Sequence, residues 1–167
     1  QGDPDRALTE ADAARIPAAF ASDAARIRGR ADAVLDEDDA AKAEFATAIR
    51  LAPRNALAWA DLARYRLHEG DRSGAATAAA QASRRDPHRT DLLVLEGIIV
   101  RLRVGLAPSL AWFDRALAID PNDVPALLEK AATLADLGHE REMLAITRKT
   151  LNLSPDNPLA FYLQAVL

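Results

Sequence analysis

Apolar and polar residues alternate in blocks along this chain, and the blocks are separated by prolines. In the stretch ALAIDPNDVPAL, residues 116–127, an apolar run stops at Asp-Pro-Asn-Asp and resumes at once. Proline resists helix continuation, and an aspartate or asparagine side chain can cap the helix that follows. Four prolines share this position and lie 34 residues apart: Pro53, Pro87, Pro121 and Pro155. A period of this length holds two short helices and two turns, so it predicts repeated helical hairpins.

Residues 56–86 show how one period divides into two helices. The first block, 56–70, places Trp59, Leu62 and Leu67 on one side of a helix that Gly70 ends. For the second block, 73–86, we predict Ser73 as the N-cap residue. That block carries a stripe of small residues that lets the two helices pack closely: Ala75, Ala79 and Ala82. The predicted caps of first helices, in the linkers between units, are Asn55, Asp123 and Asn157.

The pattern resembles the tetratricopeptide repeat family, whose units are helical hairpins of 34 residues. The matching residues of unit 56–89 are Trp59, Leu62, Ala63, Gly70, Ala75, Ala79, Ala82 and Pro87. Those of unit 90–123 are Leu93, Gly97, Ser109, Phe113, Ala116 and Pro121, and those of unit 124–157 are Leu127, Ala131, Gly138 and Pro155. The sequence departs from the family pattern at Glu96, Lys130, Met143 and Thr150. The resemblance implies an all-α fold, a right-handed α-solenoid of stacked antiparallel helical hairpins.

The register divides the chain into a short extension and a repeat domain. The domain is expected at residues 22–167, with units 22–55, 56–89, 90–123 and 124–157 and a partial unit 158–167. Residues 1–21 are expected to form an N-terminal capping helix, because the end of a solenoid exposes a side that inner repeats bury. The partial unit would leave Phe161 and Tyr162 exposed, which predicts further chain, a partner, or self-association through helix 158–167.

Composition narrows the classes of function. Of the 167 residues, 50% are hydrophobic, and the abundant alanine favours helix. The formal net charge of −4 argues against generic nucleic-acid binding, which draws its affinity from a basic surface. The chain contains no cysteine, which excludes disulfides and thiolate chemistry. No apolar run approaches the roughly 20 residues that cross a bilayer, so we expect no transmembrane segment.

The sequence contains no set of catalytic or metal-ligating residues whose spacing would bring their side chains together. In the repeat register His68 lies near the end of a first helix, His88 lies in a linker and His139 lies in a turn. The acidic run at 36–39 lacks the alternate ligands and central glycine of a calcium loop, so we interpret it as a solvated turn. Phosphate-binding glycine motifs are missing as well. We therefore predict that the protein is not an enzyme and that it has no catalytic, metal-binding or cofactor-binding residues and no cofactor.

The surface of the repeats remains as the candidate site. In the family that this chain resembles, ligands bind in a concave groove lined by the first helices. In that family the residues that face the ligand form one stripe along the first helices. The corresponding positions of this sequence form a groove that is basic in its first half and apolar in its middle. The predicted partner-binding residues are Arg26, Arg30, Arg64, Leu67, His68, Val94, Ile98, Arg101, Leu102 and Leu128.

This composition of the groove predicts the chemistry of the ligand. Arginine makes forked contacts to carboxylates and apolar residues supply desolvation. We expect a protein or peptide segment with acidic residues and aliphatic anchors. The alternative is that the arginines are solvated surface residues and that Val94, Ile98 and Leu102 pack against the neighbouring hairpin.

Some members of the family hold a C-terminal carboxylate with a clamp of lysine, asparagine and arginine on three repeats. Here Arg26, Arg30 and Asp61 occupy clamp positions. Leu95 and Glu129 lie where polar or basic groups are needed. The sequence therefore predicts that this clamp is missing.

The leading function is a non-catalytic scaffold for protein–protein interaction. The alternatives are an N-terminal interaction module of a longer bacterial enzyme and a self-assembling structural repeat protein. Arginine far outnumbers lysine and alanine is abundant, which is typical of proteins from GC-rich bacteria. The segment SPDNPLAFYLQAVL is also similar to repeats of bacterial lipoproteins of exopolysaccharide and protein-sorting systems. That resemblance implies a periplasmic, lipid-anchored protein, while the rest of the sequence leaves a cytoplasmic one open.

Overall fold

Residues 18–165 are the part of the chain that the computed structural model describes, and they form nine α-helices. The helices are α1 Ala18–Val34, α2 Asp38–Leu51, α3 Ala56–His68, α4 Arg72–Arg85, α5 Thr90–Arg103, α6 Leu106–Ile119, α7 Val124–Asp136, α8 Glu140–Leu153 and α9 Pro158–Ala165. Of the capping helix predicted for residues 1–21, positions 1–17 lie outside the described residues. Positions 18–21 form the start of α1.

The helices repeat with the period of the sequence. The second helices α2, α4, α6 and α8 begin at residues 38, 72, 106 and 140, and the first helices α3, α5, α7 and α9 begin at 56, 90, 124 and 158. Each first helix from α1 to α7 packs against the second helix that follows it, and each second helix packs against the next first helix. The predicted all-α solenoid of stacked hairpins is confirmed.

The turn inside each hairpin passes through a left-handed residue. Gly70 and Gly138 have φ of 79° and 75°, and Gly105 has φ of 134°. In the first hairpin Asp36 takes the same register position as Gly70 with φ of 58°. Glycine adopts such angles without steric cost, whereas a residue with a Cβ is strained there. The acidic run at 36–39 thus contains the turn of the first hairpin.

The three predicted linker caps are observed, whereas the predicted cap inside a hairpin is not. Asn55 accepts hydrogen bonds from the N–H groups of Leu57 and Ala58, Asp123 from that of Ala126, and Asn157 from that of Ala160. The prediction of Ser73 as a cap is wrong. Asp71 caps α4 instead, because its carboxylate accepts from the Gly74 N–H at 2.8 Å.

Small residues allow the hairpins to pack closely. Four alanines of α4 form a buried cluster with the larger side chains of α5: Ala75, Ala78, Ala79, Ala82, Leu92, Leu95 and Ile99. In the next hairpin Phe113 of α6 packs on α5, where a Cβ at Gly97 would lie 2.4 Å from its ring. This close packing fixes the relative positions of the first helices, which carry the candidate site.

Glu96 shows how one departure from the family pattern is accommodated. It lies on α5 and is buried, and the Ser83 hydroxyl of α4 donates a hydrogen bond of 2.9 Å to its carboxylate. Burial raises the pKa of Glu96, while the Ser83 hydrogen bond and the charges of Arg115 and Arg84 oppose that shift. A buried carboxyl therefore stands at the position where leucine is usual.

Candidate functional site: the surface of the first helices

The first helices α1 and α3 border a cavity of about 340 Å³. Its lining residues are Arg30, Ala33, Val34, Asp36, Phe45, Asp61, Arg64, Tyr65 and His68. Phe45 and Tyr65 are nearly buried, with ring centroids 5.5 Å apart, whereas Arg30, Arg64 and His68 are exposed. We call this space the apolar cavity. An apolar floor with cationic side chains at its edge suits an apolar group that lies next to an anion.

A second depression adjoins the apolar cavity and shares Arg30, Asp61 and Arg64 with it. It also measures about 340 Å³, and its lining residues are Arg26, Arg30, Leu57, Asp61, Arg64, Arg89 and Asp91. Four arginines face two aspartates here, so the lining carries a net positive charge although the whole chain is negative. We call it the arginine depression.

Asp61 organises the arginines. It is buried on α3 and receives a hydrogen bond of 2.7 Å from Arg26 Nη1 of α1 and one of 3.0 Å from Arg64 Nη1. Arg26 also pairs with Asp23 at 3.3 Å. Burial lowers the pKa of Arg26, and the hydrogen bond and charge of Asp61 more than offset this, so the pKa lies above its ordinary value. Arg26 and Arg64 therefore both pair with Asp61, and of the two only Arg64 remains exposed.

Arg30 differs from these two arginines. It is exposed, and among residues 18–165 no carboxylate lies within 4 Å of its guanidinium. It lines both the apolar cavity and the arginine depression. Its cationic group is consequently the one best placed to receive an external anion.

The structure brings four of the ten predicted groove residues together around these two spaces: Arg26, Arg30, Arg64 and His68. Two others pack toward the core. Leu67 packs against the buried cluster of α4 and α5, and Val94 belongs to the cluster around Phe113. Their side chains therefore support the first helices instead of lining either space.

The remaining four predicted residues lie along α5 and α7. Ile98 packs in part against the Phe113 cluster, Leu128 is half-buried and Leu102 is exposed. Arg101 Nη2 pairs with Glu129 at 2.7 Å, and its Nη1 donates to the Thr133 hydroxyl at 3.1 Å. The charge of Arg101 is thus balanced within the protein, and the exposed arginines among the predicted groove residues, Arg30 and Arg64, lie on α1 and α3.

Several lining residues are not among those that the sequence predicts for the groove. Tyr65 directly follows the predicted Arg64, and Phe45 reaches the apolar cavity from α2. Arg89, at the N-cap of α5, pairs with Asp91 at 2.7 Å in the arginine depression. The position of Arg89 could have been recognised from the sequence, because Arg89 takes the register position of Asn55 and Asp123 at the start of a first helix.

The histidines lie apart from one another. His68 borders the apolar cavity, His88 is exposed in the linker, and His139 Nδ1 lies 3.3 Å from a Glu142 carboxylate oxygen. Within the described ranges, no three His, Asp or Glu side chains are grouped as metal ligands would be. None of the described helices is both long and apolar enough for a membrane span.

Comparison with known proteins supports the fold. No protein-family model matches the sequence, and no curated protein does. Among solved structures, the type IV pilus biogenesis factor PilW is similar, with a TM-score of 0.76 and 25% identity over 87% of this chain and 69% of its own. YrrB, described as a TPR protein with an unusual peptide-binding site, has a TM-score of 0.65 and 20% identity over 96% of this chain and 79% of its own.

A third similar structure is the first TPR of Spaghetti (RPAP3) bound to the HSP90 peptide SRMEEVD. Its TM-score is 0.63, with 18% identity over 68% of this chain and 90% of its own. The chain therefore has the fold of tetratricopeptide repeat proteins.

Proposed function

We propose that the protein is a non-catalytic interaction scaffold, and that the apolar cavity and the arginine depression together bind a peptide or a segment of a partner protein. Support comes from the arrangement of Arg30, which is exposed between an apolar floor and a cluster of cations. The fold adds support, because two proteins of the same fold are described with a peptide-binding site or a bound peptide.

The chemistry of the two spaces suggests what the ligand carries. A carboxylate near Arg30 and Arg64 would gain charge-assisted hydrogen bonds, which are about twice as strong as neutral ones. An aliphatic side chain of the same segment would occupy the apolar cavity above Phe45 and Tyr65. A volume of about 340 Å³ is at the small end for a ligand pocket, and it suits one or two side chains.

The proposed contact surface differs from the stripe predicted by sequence. It is centred on Arg30, Arg64 and His68. We also include three side chains of the later first helices that are at least partly accessible: Ile98, Leu102 and Leu128. We exclude Val94 because it is buried in the Phe113 cluster, and Leu67 because its partly buried side chain packs against the cluster of α4 and α5 and lines neither space. Arg26 and Arg101 contribute by holding Asp61 and Glu129 in place.

The test is a binding screen on an array of short peptides that vary in acidic and aliphatic content. We expect the wild-type protein to favour peptides with a carboxylate next to an aliphatic residue, and the double variant Arg30→Glu with Arg64→Glu to lose these signals. Arg148→Glu is the matched control, because Arg148 is exposed on α8, far along the chain from the site. Equal binding by the double variant and the control would refute the proposed site.

A further inference from the structure

The arginine depression carries more positive charge than one carboxylate balances. Its lining combines four arginines with two aspartates, which leaves two positive charges. Asp23 lies outside this lining and pairs with Arg26 at 3.3 Å, but its side chain is 46% exposed, so water and salt screen its charge. An anion with two negative charges therefore matches the depression better than an anion with one.

The two aspartates of the depression occupy few of its hydrogen-bond donors. An arginine guanidinium has five N–H donors and no acceptor. Asp61 accepts from one nitrogen of Arg26 and from one nitrogen of Arg64. Asp91 accepts from Arg89 Nε at 2.7 Å. In the part of the chain that the structure describes, Arg64 Nη2 and both Nη atoms of Arg89 have no hydrogen-bond partner, so donors remain on two arginines that a carboxylate already orients.

Three exposed arginines line the depression, and they come from three consecutive first helices. Arg30 belongs to α1, Arg64 belongs to α3, and Arg89 is the N-cap residue of α5. A phosphate monoester has three strong acceptor oxygens and a charge of about −1.5 to −2 at neutral pH. Arginine forks bind two such oxygens at once. A carboxylate has two oxygens and one charge, so it satisfies fewer of the donors that these arginines present.

The apolar cavity indicates what the phosphate is attached to. Both spaces share Arg30, Asp61 and Arg64, so one ligand can occupy both. Free phosphate has no apolar part and would leave the cavity above Phe45 and Tyr65 empty. A phosphoserine or phosphothreonine beside an aliphatic residue fills both spaces with neighbouring side chains of one segment.

We propose that the arginine depression binds the phosphate group of a phosphoserine or phosphothreonine in the partner segment, while an aliphatic side chain beside it occupies the apolar cavity. The site is that of the proposed function, on which this inference rests, and the phosphate takes the place assigned there to a carboxylate. Arg30, Arg64 and Arg89 donate to the phosphate oxygens, and Asp61 keeps Arg64 in position. The phosphorylated partner is therefore bound in preference to the unmodified one.

The test compares three labelled peptides by fluorescence anisotropy with the full chain. The peptides carry serine, glutamate or phosphoserine next to leucine and are otherwise identical. We expect the phosphoserine peptide to bind at least about tenfold tighter than the glutamate peptide, which is the gain from one further charge-assisted hydrogen bond. The serine peptide is expected to bind more weakly than both. Replacing the leucine with glycine should weaken binding, and inorganic phosphate should compete only at a much higher concentration than the unlabelled phosphoserine peptide does.

Arg89 distinguishes the two anions, because it lines the arginine depression but not the apolar cavity. We expect Arg89→Gln to weaken binding of the phosphoserine peptide about tenfold and that of the glutamate peptide about twofold or less, since Arg30 and Arg64 suffice for a carboxylate. Arg103→Gln is the matched control, because Arg103 is exposed at the other end of α5 and lines neither space. It should leave both affinities unchanged, and circular dichroism verifies that both variants are folded.

The possible failures are distinguishable. Equal affinity for the phosphoserine and glutamate peptides would refute the phosphate site and leave the proposed function intact. If neither peptide binds better than the serine peptide, the proposed function fails as well. An equal loss of both affinities in Arg89→Gln would contradict the role given to this arginine. If inorganic phosphate competes as well as the peptide does, or if the leucine has no effect, the ligand is not a phosphorylated segment with an aliphatic anchor.

Discussion

At the residue scale, two hairpins depend on a glycine that faces an aromatic ring. A Cβ placed on Gly97 of α5 would lie 2.4 Å from Phe113 Cε1, and one on Gly29 of α1 would lie 3.0 Å from Phe45 Cε1. Both glycines occupy the same register position, which in the hairpin between them belongs to Ala63. There the second helix presents Ala79 in place of phenylalanine, so an alanine fits.

We expect Gly97→Ala to lower the free energy of unfolding by about 1–3 kcal/mol, because overpacking outweighs the better helix propensity of alanine. Chemical denaturation followed by circular dichroism measures the change. Gly29→Ala is the matched comparison and should cost less, since its nearest ring atom is farther away. If Gly97→Ala proves as stable as the wild type, or less costly than Gly29→Ala, this account of the packing is wrong.

Glu96 links stability to pH. Its pKa in the folded protein is raised, chiefly by burial. In the unfolded chain it takes the ordinary carboxyl pKa of about 4.3. Between these two pKa values the folded state binds more protons than the unfolded state does. Stability contributed by this group is therefore lost as the pH rises through that window. The cost of burying the charged form is complete above the raised pKa.

A neutral amide at this position avoids that cost. We expect Glu96→Gln to be more stable than the wild type at neutral pH, with the advantage disappearing below the ordinary carboxyl pKa of about 4.3. Unfolding measured across this pH range tests the sign. Ser83→Ala removes a hydrogen bond to the charged form and should strengthen the pH dependence of the wild type. A stability difference that is constant with pH would contradict the assignment.

The residues that define the packing could be predicted from the sequence, and some local details could not. Gly97 and Phe113 stand at family positions, so their close contact follows from the register. The cap of α4 does not follow from it, because Asp71 and Ser73 are both good capping residues. The geometry of the turn at Gly70 decides between them, and it lets the Asp71 carboxylate reach the Gly74 N–H.

At the scale of the elements, the charged contact between α1 and α3 connects structure to ligand binding. Asp61 of α3 holds Arg26 of α1 and Arg64 of its own helix. The three groups lie in one water-accessible depression, so Asp61 offsets part of the positive charge that a ligand would meet. The same contact stabilises the stacking of the first two hairpins.

We therefore expect Asp61→Asn to have opposite effects on stability and on binding. Loss of the charge-assisted hydrogen bonds should lower the free energy of unfolding by about 1–3 kcal/mol. Removal of the negative charge should strengthen the binding of an acidic peptide, measured by fluorescence anisotropy at a temperature where the variant is folded.

Asp114→Asn on α6 is the control for this change, because it removes a carboxylate from the half-exposed pair with Lys130. Such surface pairs contribute about 0–1 kcal/mol, so neither stability nor binding should change much. Weaker peptide binding by Asp61→Asn would show that the aspartate helps to form the site instead of opposing the ligand.

The elements could be predicted more fully than the site that they form. Periodicity indicated the hairpins, and the register placed Arg26, Arg30 and Arg64 on the first helices. It could not indicate that Arg26 reaches across to Asp61, since a long side chain has many rotamers and its partner lies 35 residues away. The register also could not indicate that Val94 is buried while Leu102 of the same helix is accessible.

At the scale of the whole molecule, charge is distributed unevenly. The chain carries a formal net charge of −4, yet four arginines gather where α1, α3 and the start of α5 meet. An acidic ligand would be attracted to this region and repelled by much of the remaining surface, which would favour one orientation. The proposed function therefore requires that the ligand bind to the first helices of the first half of the molecule.

NMR mapping of backbone amides during titration with an acidic peptide selected on the array locates the binding surface directly. We expect shift changes in α1 and α3 around Arg30, Arg64 and Tyr65, reduced by added salt, with smaller changes in the second helices α4, α6 and α8. Shift changes confined to the second helices or to α9 would show that the peptide binds elsewhere and would refute the proposed site.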